Sequence, residues 1–186
     1  SNETDSLSGA LHVGVIPTLA NYLVPRFIKS FGENCPTVQL TISEMNTATL
    51  VDTLKKDRID MFIAATPLDE PDFLEIPLFY ERFYAYLSDE HALFEQDSIN
   101  INSIEEGDVW YLEEGNCFQN QVNSICQINP QKKNKQQLVY HSNSIESLRR
   151  IVENRSGLTF IPELATINIP PGQEELIKEI VPTEPV

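Results

Sequence analysis

The feature that most constrains the fold is an alternation of extended and helical patterns over the first third of the chain. The apolar run LHVGVIP from Leu11 reads as a buried strand stopped at Pro17, and TLANYLVPRFIKSFGEN after it has helical spacing. VQLTISEM (Val38 to Met45) is a second strand. NTATLVDTLKKDRI (Asn46 to Ile59) is a helix with Leu50, Val51, Leu54 and Ile59 on one face, and DMFIAAT (Asp60 to Thr66) is a third strand. Parallel strands need a crossover, and a helix is the usual one, so the pattern predicts an α/β fold with helices on the faces of a parallel sheet.

The stretch FLEIPLFYERFYAYLSDEH (Phe73 to His91) breaks this rhythm with two extended, aromatic-rich runs and marks passage into a second lobe. Beyond it VWYL (Val109 to Leu112), QLVYH (Gln137 to His141) and LTFIP (Leu158 to Pro162) read as strands. The segment around Cys117 and SIESLRRIVENRSG (Ser144 to Gly157) read as helices. The expected lobes run from Leu7 to Glu81 and from Arg82 to Val186. The tail, IPPGQEELIKEIVPTEPV, reads as Pro-marked turns without a closing element.

With 186 residues and 41 % apolar content, the chain can bury a core in one domain or two lobes. Thirteen Lys and Arg stand against 28 Asp and Glu, a net charge of -15. That charge repels a phosphate backbone and leaves no basic stripe, so this piece by itself is not expected to bind nucleic acid. No apolar run approaches the roughly 18 residues that cross a bilayer, and the SNETDSLSG start has no basic region leading into a hydrophobic one, so neither export nor membrane attachment is expected. Three cysteines are too few for a disulfide scaffold and suit a reducing cytoplasm, with any disulfide transient.

Two of those cysteines lie in GNCFQNQVNSICQ, nine positions apart. Asn116 suits a helix N-cap, and Gln119 three residues later completes an Asn-x-x-Gln variant of the capping box, which makes Cys117 the first helical residue. The unpaired N–H groups and positive dipole end at that position favour thiolate over thiol, with Glu113 and Glu114 opposing. A thiolate is the form that peroxide oxidises to a sulfenic acid, which condenses with a second thiol. Cys126 is the only other thiol nearby in sequence. Nine helical residues advance about 13.5 Å and turn about 900°, placing the two on opposite faces, whereas a disulfide needs Cα atoms within about 6.8 Å. A bond between them therefore requires the helix to unwind, with PQKKNKQQ as slack. The plainer reading is that both are inert buried fillers, and the residues alone leave both open.

The stretch YLEEGNCFQNQVNSIC resembles the redox motif of the OxyR family of LysR-type peroxide-sensing regulators, a Gly-x-Cys segment followed nine residues later by a second cysteine. GALHVGVIPTLANYLVP and SIESLRRIVENRSGLTFIPELA resemble the same regulatory domain, although they are generic to LysR-type effector domains. The resemblance implies two Rossmann-like lobes of periplasmic-binding-protein type II architecture. It implies Cys117 as the peroxidatic and Cys126 as the resolving cysteine of a reversible disulfide, with Thr18, Thr47, Asn116 and Gln119 around the peroxide. It further implies a homodimer or tetramer, a thioredoxin- or glutaredoxin-type reductant, and DNA contact only through an N-terminal winged helix-turn-helix outside this chain. The family continues past the position of Val186 through a strand and a helix that complete the first lobe, so the chain is expected to be a fragment. Where the family has His before the first cysteine and Arg two places after it, this chain has Asn116 and Gln119, so both cationic neighbours of the thiol are absent.

Thr18 and Thr47 each follow a strand and open a helix, where N-capping is the plainer role and polar-guest binding the functional one. Cys35, before Pro36 in a connection, reads as structural, and Lys132, Lys133 and Lys135 as a solvated loop. His12, His91 and His141 are scattered, and a zinc site would need Cys117, Cys126 and His141 to converge without any tight paired spacing, so no metal or cofactor is expected. Neighbouring carboxylates such as Glu105 and Glu106 read as surface charge. There is no G-x-S-x-G, P-loop or G-x-G-x-x-G. Besides a non-enzymatic peroxide sensor, two readings stand: an effector domain that binds a metabolite, and a thiol peroxidase, which lacks a C-x-x-C for an exchange cycle.

Overall fold

In the computed structural model of the chain, residues 7–113, 117–125 and 140–181 are described. The chain divides into two compact units, one ending at Ala65 and the other beginning at Thr66. The sequence pattern sets the change of lobe later, at Glu81 and Arg82.

The first unit contains β1 (Gly9–Val15), α1 (Pro17–Asn34), β2 (Val38–Glu44), α2 (Thr47–Lys55) and β3 (Met61–Ile63). The sheet order is β2-β1-β3, parallel throughout, with Gly9 opposite Val38, Val15 opposite Glu44, and Val13 opposite Met61. This is the expected alternation. Successive strand residues face opposite sides. Gly14 faces α2, because a Cβ built there runs into Leu50 Cδ2 and meets Ile59 Cδ1 and the Phe62 Cβ at 3.1 Å. Val13 and Val15, pointing the other way, are buried together with Ile16 and Leu19 of the α1 entry. The α2 helix stops at Lys55, short of the expected Ile59, because Asp57 takes φ 53° and turns the chain back toward β3.

The second unit contains β4 (Phe83–Leu87), β5 (Ser98–Asn100), α3 (Cys117–Ile125), α4 (Ile145–Asn154), β6 (Leu158–Pro162) and β7 (Ile177–Val181). Its sheet order is β5-β7-β4-β6. β4 runs antiparallel to β6 and β7, whereas β5 and β7 are parallel. Ala85, Tyr86, Leu87, Ile99, Leu148, Val152, Leu158 and Ile161 form its core. α4 is the amphipathic helix that the sequence announces, capped by Ser144, whose Oγ accepts from the Ser147 N–H at 3.2 Å.

Two expectations change here. The tail does contain a closing element: β7 sits inside the sheet, with Ala85 opposite Lys178 on one side and Ile99 opposite Ile180 on the other. VWYL is no strand either. It makes a single parallel bridge, Val109 to Leu158, with the Trp110 N–H on the Leu158 carbonyl of β6, and the Leu112 N–H then goes to a side chain. Of QLVYH, residues 137–139 lie outside the described residues, and Tyr140 and His141 are not in a strand. No described helix is long and apolar enough to cross a membrane.

Candidate functional site

In the first unit, β1 and β2 lie side by side, so α1 and α2 both begin at the carboxyl edge of the sheet. Ligands in open parallel sheets bind at that edge, where helix N–H groups are unpaired. The N-cap of α1 is Ile16, without a side-chain hydrogen bond, and that of α2 is Asn46, whose Oδ1 accepts from the Thr49 N–H at 2.9 Å. Thr18 and Thr47 therefore stand inside their helices, and the capping role falls to neither. Both hydroxyl oxygens are buried with no hydrogen-bond partner among the described residues. A hydroxyl buried unpaired costs free energy, so two of them at one sheet edge make a polar position suited to a small hydrogen-bonding guest.

In the second unit Cys117 is the first residue of α3, as the capping pattern predicts, and is only 6 % exposed. The helix is docked through its apolar face. Phe118 is buried with its ring edge-on to Phe83, centroids 5.0 Å apart, and Val122 is fully buried. Gln119, a polar residue of the same first turn, is buried too. Its Oε1 accepts from the Leu112 N–H at 3.0 Å, and its Nε2 donates to Asn123 Oδ1 at 2.9 Å. Gln121 donates from Nε2 to the Thr66 carbonyl. Asn116 and Cys126 lie outside the described residues.

The segment that Gln119 grips is held firmly on both sides. Trp110 N–H donates to the Leu158 carbonyl at 2.8 Å, Thr159 Oγ1 donates to the Trp110 carbonyl at 2.9 Å, and Trp110 Nε1 donates to the Ser156 carbonyl at 2.8 Å. Past Leu112, the Glu113 N–H donates to the Ser142 carbonyl at 2.9 Å, and Asn143 Nδ2 donates to the Glu113 carboxylate at 2.7 Å. Glu113 is thus committed to the entry of α4.

Sequence reasoning missed a polar cluster under α4. The Tyr86 hydroxyl, deep in the sheet, donates to Glu153 Oε1 at 2.7 Å, and burial followed by that bond pushes its pKa up to about 12. Arg149 lies over the Tyr86 ring at 4.8 Å and donates to Glu146 and Gln173 at 2.8 and 2.9 Å. Cys35 closes α1, its backbone N–H donating to the Phe31 carbonyl at 2.8 Å. Among the described residues no group of three or more His, Cys, Asp or Glu could hold a metal ion.

The LysR substrate binding domain family matches residues 4–183. The hydrogen peroxide-inducible genes activator of Haemophilus influenzae is 30 % identical over 90 % of this chain and 55 % of its own length. The DNA-binding transcriptional dual regulator OxyR of Escherichia coli is 28 % identical over 94 % of this chain and 55 % of its own. The chain thus spans about half the length of these relatives. The crystal structure of OxyR from Porphyromonas gingivalis superposes with a TM-score of 0.82 at 34 % identity, over 92 % of this chain and 77 % of that one.

Proposed function

The chain belongs to the LysR substrate-binding domain family, with the type II periplasmic-binding-like fold of OxyR regulatory domains, and we propose that it is the hydrogen-peroxide-sensing domain of a transcription regulator. The observation that carries this reading is the place of Cys117, a buried thiol at the first residue of a helix with a second cysteine nine positions on. Helix N-termini favour the thiolate that peroxide oxidises.

The proposed chemistry balances without a cofactor. The Cys117 thiolate attacks one peroxide oxygen, the O–O bond breaks, and the departing hydroxide takes a proton to leave as water. Cys126 then attacks the sulfenic sulfur, the S–S bond forms, the S–O bond breaks, and a second water leaves. The hydroxyls of Thr18 and Thr47, without a partner among the described residues, are the groups we assign to the peroxide oxygens, with Asn116 completing the set. Gln119, its oxygen on Leu112 and its nitrogen on Asn123, acts by position rather than by contact. One oxidation suffices per signalling event, so the domain is a sensor rather than an enzyme. Reversal calls for a thioredoxin- or glutaredoxin-type reductant in a reducing cytoplasm. DNA is contacted by a winged helix-turn-helix outside this chain, in a dimer or tetramer whose contacts the oxidised fold alters.

Mass spectrometry of peroxide-treated protein tests the reading. A Cys117 to Cys126 linkage is expected, and modification confined to Cys35 would defeat it. Threonine hydroxyls without a partner among the described residues also suit a small metabolite. An inducer response that survives Cys117→Ser would favour that second reading.

A further inference from the structure

α3 occupies every position between the two cysteines, so closing the disulfide requires the helix to open, and something must hold it shut until Cys117 is oxidised. Apolar docking through Phe118 and Val122 supplies adhesion without a defined point of release. Gln119 supplies that point. Its amide oxygen takes the Leu112 N–H in a buried setting, and its amide nitrogen is braced one turn on by Asn123. The strap it grips is bonded to β6 on one side, through Trp110, and to the entry of α4 on the other, through Glu113. A backbone N–H in such a strap normally finds a neighbouring strand's carbonyl. Among the described residues, the Leu112 N–H is instead taken by a side chain on the helix that has to move.

Resting on the sensing function above, we propose that Gln119 is a positioning residue that latches the reduced fold: it ties the first turn of α3 to the 109–113 strap, and its release permits disulfide closure and loosens the start of α4. When the helix opens, the amide oxygen leaves Leu112, the brace to Asn123 is lost with the helical turn, and the strap loses its hold next to Glu113. Because Glu113 carries Ser142 and Asn143, directly before the Ser144 cap, the loosening passes into α4 through three residues.

The test separates the two chemical steps. Sulfenic acid at Cys117 is measured by dimedone trapping after a hydrogen peroxide pulse in a Cys126→Ser background. The rate constant for closure is measured from the sulfenic acid to the disulfide with Cys126 present. Gln119→Met keeps length and helix propensity but removes the acceptor. It is expected to speed closure about five- to tenfold, the factor worth one buried hydrogen bond. Asn123→Ala leaves the Leu112 bond and removes only the brace. It is expected to speed closure about two- to threefold, with trapping unchanged. In reduced Gln119→Met, the amides of Leu112 and Glu113 should exchange with deuterium faster, a change that a general loss of stability would not confine to the strap. Closure unchanged or slowed in Gln119→Met, while trapping is normal in the parent, overturns the latch alone. Absence of Cys117 sulfenic acid in the parent overturns the sensing function and the latch with it.

Discussion

Thr18 illustrates how much a single atom decides. Its Oγ1 is buried with no partner among the described residues, so replacing the hydroxyl with a methyl of equal size removes a desolvated polar group and leaves the packing intact. Thr18→Val is expected to fold with equal or greater stability, by about 0.5–1 kcal/mol in urea titration. On the peroxide-binding role proposed for its hydroxyl, the same variant should slow Cys117 oxidation by about tenfold, the scale of one lost hydrogen bond. Lower stability with an unchanged rate would mean that the hydroxyl serves the fold. Tyr86 offers a second measurement. Its folded pKa, raised to about 12 by burial and by Glu153, lies above the unfolded value near 10. The neutral phenol is therefore favoured in the folded state. Its contribution to stability is full below about pH 10 and is lost as pH rises toward about 12. Phenolate absorbance at alkaline pH should show one late-titrating tyrosine, absent in Tyr86→Phe.

At the level of elements, the first unit is assembled by close approach. Gly14 lets Leu50 of α2 lie directly on β1, with Ile59 and Phe62 on either side. A methyl at Gly14 would force the Leu50 tip aside and press on the Phe62 Cβ, which has less freedom to move. Gly14→Ala is expected to cost about 1–3 kcal/mol by overpacking, read as a lower urea midpoint with an unchanged slope. The cap of α4 is simpler. Ser144→Ala removes the acceptor for the Ser147 N–H and should cost about 1 kcal/mol. Helix α3 shows where local signals succeed and where they stop. The Asn-x-x-Gln pattern puts the helix start at Cys117, and the structure agrees, yet the same Gln119 sends its oxygen to Leu112, a partner that no spacing rule names.

For the molecule as a whole, oxidation and helical order compete. The nine residues of α3 must give up their helix for the disulfide to form, so peroxide-treated protein should lose ellipticity at 222 nm in step with the appearance of the linkage, and a thiol reductant should restore it. Formation of the bond without any loss of helix would contradict the geometry of the α-helix itself.

The sequence by itself determined the elements whose cause is local. Strand–helix alternation up to β3, the LTFIP strand, the amphipathic α4 and the placing of Cys117 at a helix start all follow from periodicity, caps and Pro. These act within a few residues and need no knowledge of what lies across the molecule. Tertiary structure decided what depends on partners far along the chain. IKEIV becomes an internal strand only because β4 and β5 offer it two edges. VWYL keeps one bridge to β6, and its Leu112 N–H goes to Gln119, a partner on a helix. Thr18 and Thr47 have no hydroxyl partner among the described residues, with Ile16 and Asn46 in the cap positions before them. Backbone N–H and C=O groups must be satisfied somewhere, and which distant group satisfies them is settled only when the chain has folded.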